Sequence, residues 1–367
     1  MNTRIRVAAS PGQAHVAVTR GDALIDYALW HTGAPDGVGD VLEGRVTTIA
    51  PAMAGAFVAL TSAASTGAAQ ASAEGFLPDS EGAKGLSQGA SLLVRVTRSA
   101  QGGKGPRLTA RLPEGTQPGP GPNPVVRLAT HYPNASILVD DPNLAAQLGA
   151  RYQAGVLDEP IADAIDALAQ SAVDVPSGGR LSIWPTPALV AIDVDSAGAL
   201  DRHSGPAAQR HEAFNKSLLA ALAAQIRLRN LSGAIVIDLA GMPVKRRPSL
   251  APDLRAALQS DPLKPRFLGF TALGLAEIVR TRIHPPLHEL LVTPLSDGLA
   301  ALRAVLAAGS TDPRAQPAIH AHPAIVTALR ADPDALPDML RRTGRSVRLR
   351  ADPSLPPHTW MLDTRHA

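Results

Sequence analysis

Two apolar runs in this chain end in a carboxylate: Leu189-Val190-Ala191-Ile192-Asp193 and Ile235-Val236-Ile237-Asp238. Two carboxylates brought close together repel, and one is pushed to protonate unless a cation relieves the conflict. Magnesium, with manganese as its substitute, binds through one or two carboxylates and keeps several waters. So held, it can activate water and stabilise a charged phosphoryl transition state. Asp195, two residues beyond Asp193, faces the same side if the strand continues. The cluster Lys245-Arg246-Arg247 follows the second carboxylate and could bind the phosphates of a polyanion. Plainer roles exist for each: a strand-terminal Asp often caps a turn or helix, and a basic cluster is often a solvated face.

The elements around these residues decide whether they meet. Continuous β-branched runs suit strands buried on both faces. Ala207–Arg229 is predicted as one long Ala/Leu helix, enough for a crossover. A crossover makes the two strands parallel neighbours or near neighbours, with their C-terminal ends on the edge where α/β sheets place ligands. Leu181–Trp184 and Ala188–Asp193 read as a hairpin. Helices are expected at Asn143–Tyr152, Glu159–Val173, Ser249–Gln259 and Ala272–Arg282, and a strand around Arg266–Phe270. Upstream, residues 4–29 read as strand, turn, strand. Short β-like runs across 40–112 suggest a small closed barrel, with Thr61–Ala73 as an Ala/Ser-rich surface loop. Residues 113–124 hold five prolines and three glycines, which marks a linker. Residues 296–367 read as a small α/β unit with helices at Leu299–Ala307 and Ala318–Arg330 and a strand at Ser346–Leu349.

Composition narrows the chemistry. The 367 residues include no cysteine, which excludes disulfides, thiolate nucleophiles and Cys-ligated zinc or iron–sulfur sites. Aromatics are 3% of the chain against 45% hydrophobic residues, so a broad base-stacking platform is not expected and each exposed aromatic needs a reason. Residues 1–200 carry 13 Lys/Arg and 18 Asp/Glu, the remainder 22 and 14. The basic second half is a candidate phosphate surface, although Arg-rich genomic composition gives the same split. There is no apolar leader and no run of about 18 apolar residues, so a cytoplasmic protein without membrane contact is expected.

An ordered series of short motifs resembles the ribonuclease E/G family. It begins with Gly44-Arg45-Val46-Thr47, Ala56-Phe57-Val58 and Glu74-Gly75-Phe76-Leu77-Pro78. It continues with Val175-Pro176-Ser177-Gly178-Gly179, Ile192-Asp193-Val194-Asp195-Ser196-Ala197 and Phe214-Asn215. Arg227-Leu228-Arg229-Asn230-Leu231-Ser232-Gly233, Ile235–Asp238, Met242 and Gly269–Glu277 complete it. The resemblance implies an α+β, multi-subdomain fold. A ribonuclease-H-like subdomain (1–39 and 125–180) would carry an inserted S1 (OB-type) β-barrel at 40–112. A DNase-I-like α/β catalytic subdomain would span 181–291, with a small C-terminal α/β unit at 296–367. It also implies a metal-dependent endoribonuclease that cuts single-stranded RNA to 5′-phosphate and 3′-hydroxyl ends in RNA processing or decay. The family's two magnesium-binding aspartates fall on Asp193 and Asp238. A neighbouring Asn of well-known members is Asp195 here, which adds a negative charge. Two RNA-packing aromatics correspond to Phe57 and Phe76, and a basic residue of the barrel corresponds to Lys104, in Gly102-Gly103-Lys104-Gly105. By position alone, Phe57 and Phe76 would equally suit the barrel core.

Three family features are missing. The helical segment that senses a 5′-monophosphate has no counterpart, because the 113–124 linker leads almost at once to Ala135–Pro142, a stretch matching a point beyond it. Cleavage indifferent to the 5′ end is expected. The zinc-link cysteines are replaced by His284-Pro285-Pro286-Leu287-His288-Glu289. Two prolines break the helix that an i,i+4 His pair would need, so neither zinc nor a zinc-linked dimer is expected; the oligomeric state is left open. The acidic residue after the second aspartate is Gly241. A catalytically inactive RNA-binding relative is the rival reading. A phosphoesterase of small nucleotides is a third, disfavoured because it would need no strand-binding barrel.

Overall fold

The structure is a computed structural model that describes residues 2–61, 74–176, 178–196, 198–202, 206–311 and 318–363. Most of the expected Thr61–Ala73 loop, together with Ser177 and Ala197 of the motifs above, lies outside the described residues. The chain opens with an antiparallel meander, β1 (Thr3–Ser10), β2 (Gln13–Arg20) and β3 (Ala23–His31). A closed five-stranded barrel follows: β4 (Val41–Ala50), β5 (Gly55–Leu60), β6 (Glu74–Pro78), β7 (Ser91–Arg98) and β8 (Arg107–Thr109), in the order β4-β5-β6-β8-β7. Its interior is filled by Val46, Ala56, Val58, Leu77, Val94 and Leu108, the alternate positions of each strand. This architecture is consistent with an S1-like fold.

The barrel begins and ends at one place. Val41 and Gly119 exchange both backbone hydrogen bonds at 2.9 Å, and the Gly121 N–H donates to Asp40 Oδ1 at 2.6 Å. Here the two chain segments touch so closely that a Cβ on Gly39 would lie 3.2 Å from Gly121 Cα. The Pro/Gly stretch is thus tied down along the barrel, with no helix or strand of its own before α1 (Pro124–His131).

Next come β9 (Ser136–Val139), α2 (Pro142–Leu148), β10 (Arg151–Tyr152) and α3 (Glu159–Asp166). β9 adds in parallel to β1, giving a five-stranded sheet in the order β10-β9-β1-β2-β3. Both helices are shorter than expected. Gly149 closes α2 in a left-handed cap, releasing Arg151 and Tyr152 into a strand. α3 frays into a 3₁₀ turn at Ala167–Ala169, after which β11 (Ala172–Asp174) forms instead of more helix.

A six-stranded sheet carries the carboxylates. It contains β11, β12 (Arg180–Pro185), β13 (Val190–Asp195) and, after the crossover helix α4 (Ala207–Leu228), β14 (Gly233–Asp238). α5 (Ala251–Leu258), β15 (Arg266–Phe270) and β16 (Ala276–Arg280) complete it, in the order β11-β12-β13-β14-β16-β15. The segment expected as a helix at 272–282 is β16. Ala276, Ile278 and Arg280 are buried while Glu277 and Val279 are half-buried, a period of two that only a strand satisfies. A second correction concerns burial. Val190, Ile192, Val194, Ile235 and Ile237 face a core built with Phe214, Leu218 and Leu222 of α4 and Leu254 of α5. Ala191, Asp193, Asp195, Ala234, Val236 and Asp238 alternate with them and are half-buried or exposed. These strands are therefore buried on one face, and the other is open at the carboxylates.

The C-terminal region has α6 (Leu287–Leu291), α7 (Pro294–Thr311), β17 (Ala318–Ala321), α8 (Pro323–Ala331), α9 (Ala335–Thr343), β18 (Arg348–Ala351) and β19 (Trp360–Asp363). Ala318–Ala321 was expected to be helical; it is a central strand because Pro323, at the first position of α8, sets where that helix starts. Among the described residues no helix is long and apolar enough to cross a membrane.

Candidate active site on the open sheet face

β13 and β14 run parallel with Asp193 directly opposite Asp238. Adjacent strands lie about 4.8 Å apart, so the two carboxylates stand side by side at the C-terminal ends of their strands. Both residues are exposed. The register is locked by the apolar alternation: a one-residue slip would drive Ile192 and Ile237 out of the core. Asp195 projects from the same face, one pleat further on.

The Asp238 carboxylate has a partner from its own connection. Arg247 lies in a 3₁₀ stretch after β14 (Val244–Leu250) and is only 8% exposed. Its Nη1 donates to Asp238 Oδ1 at 2.9 Å and to the Gly274 carbonyl at 2.9 Å, and its Nε donates to the Met242 carbonyl at 2.9 Å. Arg247 is thus a buried brace of the site. Its placement differs from that expected of a phosphate-facing cation. Lys245 and Arg246 are exposed beside it and remain able to meet polyanion charge.

Asn215 does a similar task that no motif reading had assigned. Fully buried in α4, it accepts the Ala240 N–H at 3.2 Å and donates to the Ala240 carbonyl at 2.9 Å, fixing the chain just past Asp238. The next residue, Gly241, has φ +54°, and a Cβ there would fall 2.1 Å from the His211 ring. The imidazole of His211 fills the space that a side chain at 241 would need. That accounts physically for glycine at this position. The signal available in the sequence was its place in the Phe214-Asn215 motif.

The pair fits a hard divalent cation by donor chemistry: two adjacent carboxylates, exposed enough for the cation to keep water. One oxygen of Asp238 is already engaged by Arg247, which leaves Oδ2 for a ligand. No group of three or more His, Cys, Asp or Glu gathers around a common point among the described residues. His284 and His288 do not share a helix face. His284 precedes α6, and its Nδ1 pairs with Asp36 at 2.6 Å. Burial lowers the His284 pKa, partly opposed by the Asp36 hydrogen bond.

The barrel residues group separately. Phe57 and Phe76 are cross-strand partners on β5 and β6, with ring centroids 5.5 Å apart in an edge-to-face arrangement. They are half-buried and alternate with the interior residues Ala56, Val58 and Leu77, so they stand on the outer wall and not in the barrel core. Arg107 lies next to Phe76 in register. Lys104 is exposed and closes, with Gln101, a tight turn between β7 and β8 whose tip is Gly102-Gly103. That turn docks on the region after the six-stranded sheet: the Ser99 N–H donates to the Ile283 carbonyl at 2.9 Å, and the Gly102 N–H to Glu289 Oε2 at 3.1 Å.

The fold and site define a mixed α+β protein with an acidic pair on an open sheet face and a barrel bearing a surface aromatic pair. Residues 152–283, which contain Asp193, Asp195, Asp238 and Arg247, match the family model of the Ribonuclease E/G family. Ribonuclease E of Nostoc sp. (strain PCC 7120) is 38% identical over 119 residues, covering 32% of this chain and 17% of that protein. Ribonuclease E of Escherichia coli (strain K12) is 39% identical over 128 residues, 34% of this chain and 12% of its own. Ribonuclease G of Haemophilus influenzae is 34% identical over 134 residues, 36% of this chain and 26% of its own. The alignments thus span about a quarter or less of these relatives, and the barrel lies outside the family-model match. Over this segment the chain is similar to the ribonuclease E/G family.

Proposed function

We propose that this protein is a magnesium-dependent endoribonuclease that hydrolyses single-stranded RNA to 5′-phosphate and 3′-hydroxyl ends, with no requirement for a particular 5′ terminus. The observation that carries the reading is the in-register pair Asp193 and Asp238 on the open face of the sheet, inside the segment that matches the Ribonuclease E/G family model. Magnesium or manganese held by these two residues would supply charge neutralisation at the phosphodiester and a more acidic water. Asp193 and Asp238 provide the hard oxygen donors. Arg247 orients Asp238 and Asn215 fixes the loop behind it. Asp195 adds a third negative charge on the same face. Phe57 and Phe76 offer two π-faces to bases, a sequence-tolerant contact, and Lys104, Lys245 and Arg246 meet backbone phosphates without reading sequence.

The non-catalytic RNA-binding reading draws on one specific feature, the Arg247 contact that already occupies Asp238 Oδ1. A single experiment separates the two. A labelled single-stranded RNA is incubated with magnesium and the wild type, Asp193→Asn or Asp238→Asn. Cleavage by the wild type alone, with binding kept in all three, supports the nuclease. Binding without cleavage in the wild type supports the binding module. Equal cleavage in all three proteins removes the site. Wild-type rates on 5′-monophosphate and 5′-hydroxyl substrates should be the same; a strong preference for the monophosphate would refute end-independence.

A further inference from the structure

Trp184 lies outside the acidic pair, its braces and the barrel aromatics. It is one of three tryptophans in the chain and stands 58% exposed, although an indole normally buries a large apolar area. Its direction follows from β12. Leu181 and Ile183 enter the core with 0% and 2% exposure, so Arg180, Ser182 and Trp184 project on the opposite face, the one that carries the carboxylates. The register places Ser182 opposite Asp193, and Trp184 opposite Ala191. Ala191 is in turn opposite Val236 on β14, and Val236 opposite Glu277 on β16. The indole therefore rises at one side of a low floor made by Ala191 and Val236, one pleat repeat back from the Asp193–Asp238 row. Trp184 and Asp193 are diagonal neighbours, about 7–8 Å apart, a separation that a base and its neighbouring phosphate can bridge.

We propose that Trp184 is a base-stacking residue of the cleavage face, holding the base of a nucleotide adjacent to the phosphodiester presented to Asp193 and Asp238. The proposal rests on the RNA-cleaving role given above and adds a contact within the sheet itself, separate from the barrel aromatics. Three features favour an RNA base as the occupant. The indole is continuous with the carboxylate row. The floor beside it is small enough to admit a flat ring. The exposed cations Lys245 and Arg246 follow β14, two strands across the same sheet, available for the backbone of the same molecule. Stacking on a single side chain discriminates weakly among bases, so the contact sets position more than sequence.

The test uses the full chain and a fluorescein-labelled single-stranded oligoribonucleotide in EDTA, so that binding is read without cleavage. Wild type, Trp184→Phe and Trp184→Ala are compared by anisotropy, with circular dichroism to confirm folding. Trp184→Ala should weaken binding about 5- to 150-fold, the range that loss of one stacked base spans, and Trp184→Phe should retain most of the affinity. RNA should quench tryptophan emission in the wild type and much less in Trp184→Phe. Substituting abasic sites one at a time should reveal one position where base removal weakens the wild type and leaves Trp184→Ala unaffected. Wild-type affinity in Trp184→Ala overturns the proposal and leaves the nuclease reading standing. So does a Trp184 emission change that follows protein concentration without RNA, which would place the indole in a contact between copies. A wild type that binds no RNA overturns both.

Discussion

Replacing Arg247 by methionine removes a brace whose worth can be worked from its contacts. The guanidinium satisfies the carbonyls of Met242 and Gly274, both at 2.9 Å, from a position only 8% exposed. Each buried carbonyl left without a donor costs about 1–3 kcal/mol, so the two together cost about 2–6 kcal/mol. The bond to Asp238 adds little, because that carboxylate is 54% exposed and solvent-facing ion pairs contribute roughly 0–1 kcal/mol. Methionine recovers part of the packing, and a net loss of about 2–4 kcal/mol is expected. Arg247→Lys keeps the charge but lacks the planar fork that reaches three acceptors, so it should fall between the two. Urea unfolding reads the effect as a lower midpoint at unchanged slope. The cleavage assay, run well below the unfolding midpoint, should show weakened magnesium dependence in Arg247→Met, since Asp238 loses its orienting partner. An Arg247→Met protein within about 0.5 kcal/mol of wild type, the range of an ordinary surface change, would refute the assignment of Arg247 as a brace.

Other consequences can be checked with the same material. Gly241→Ala should destabilise by about 2–4 kcal/mol, from the left-handed backbone and the overlap with His211; in a double-mutant cycle His211→Ala should restore the overlap part and not the backbone part. Burial, helped by the Arg303 charge, holds His15 and His31 at about 4, below the ordinary 6.5. The unfolded chain then binds protons between pH 6.5 and 4 that the folded chain refuses. The contribution is complete above 6.5 and is lost as pH falls towards 4, by up to about 1.4 kcal/mol per histidine per pH unit. His15→Gln and His31→Gln should flatten that slope in urea titrations at pH 7 and pH 5. Elemental analysis of metal-stripped and reloaded protein should find substoichiometric zinc, because His284 is engaged by Asp36. RNA affinity should fall steeply with salt, as phosphate-led binding requires.

What could be read in advance followed from periodicity. The two carboxylate-ended runs and the long helix between them were legible as a parallel crossover whose strands are neighbours or near neighbours; that they are immediate neighbours with Asp193 opposite Asp238 comes from the structure. The barrel was legible from short alternating runs, and the same alternation explains why Phe57 and Phe76 face outward. Segments of mixed propensity were misread. Ala276-Glu277-Ile278-Val279-Arg280 begins with helix formers yet pairs between β14 and β15, where tertiary context outweighs intrinsic preference. Ala318–Ala321 failed for a different reason: Pro323 opens α8 and leaves that segment outside the helix. Arg247 and Asn215 were not legible as braces, because their acceptors, Met242, Gly274 and Ala240, are backbone groups that converge only after folding. The basic trio looked like three equivalent surface charges, and burial of one of them depends on those carbonyls.

The closed neck at Gly39–Val41 and Gly119–Gly121 makes the barrel a cassette. Since the chain leaves the β1–β3 sheet and returns to it at the same spot, everything between could be cut out and the ends rejoined by a short turn, with β9 still reaching β1. A barrel-less version of this protein is therefore a meaningful object: on the proposed function, it would separate cleavage at the open sheet from the grip on the strand. The reverse also follows. A different strand-binding module hung from the same neck would redirect which molecules reach Asp193 and Asp238 without touching either aspartate. If the proposed function holds, selectivity would change by exchange of the barrel and chemistry by point substitution, with the contacts from Ser99 and Gly102 to Ile283 and Glu289 the part of the seam that an exchange must preserve.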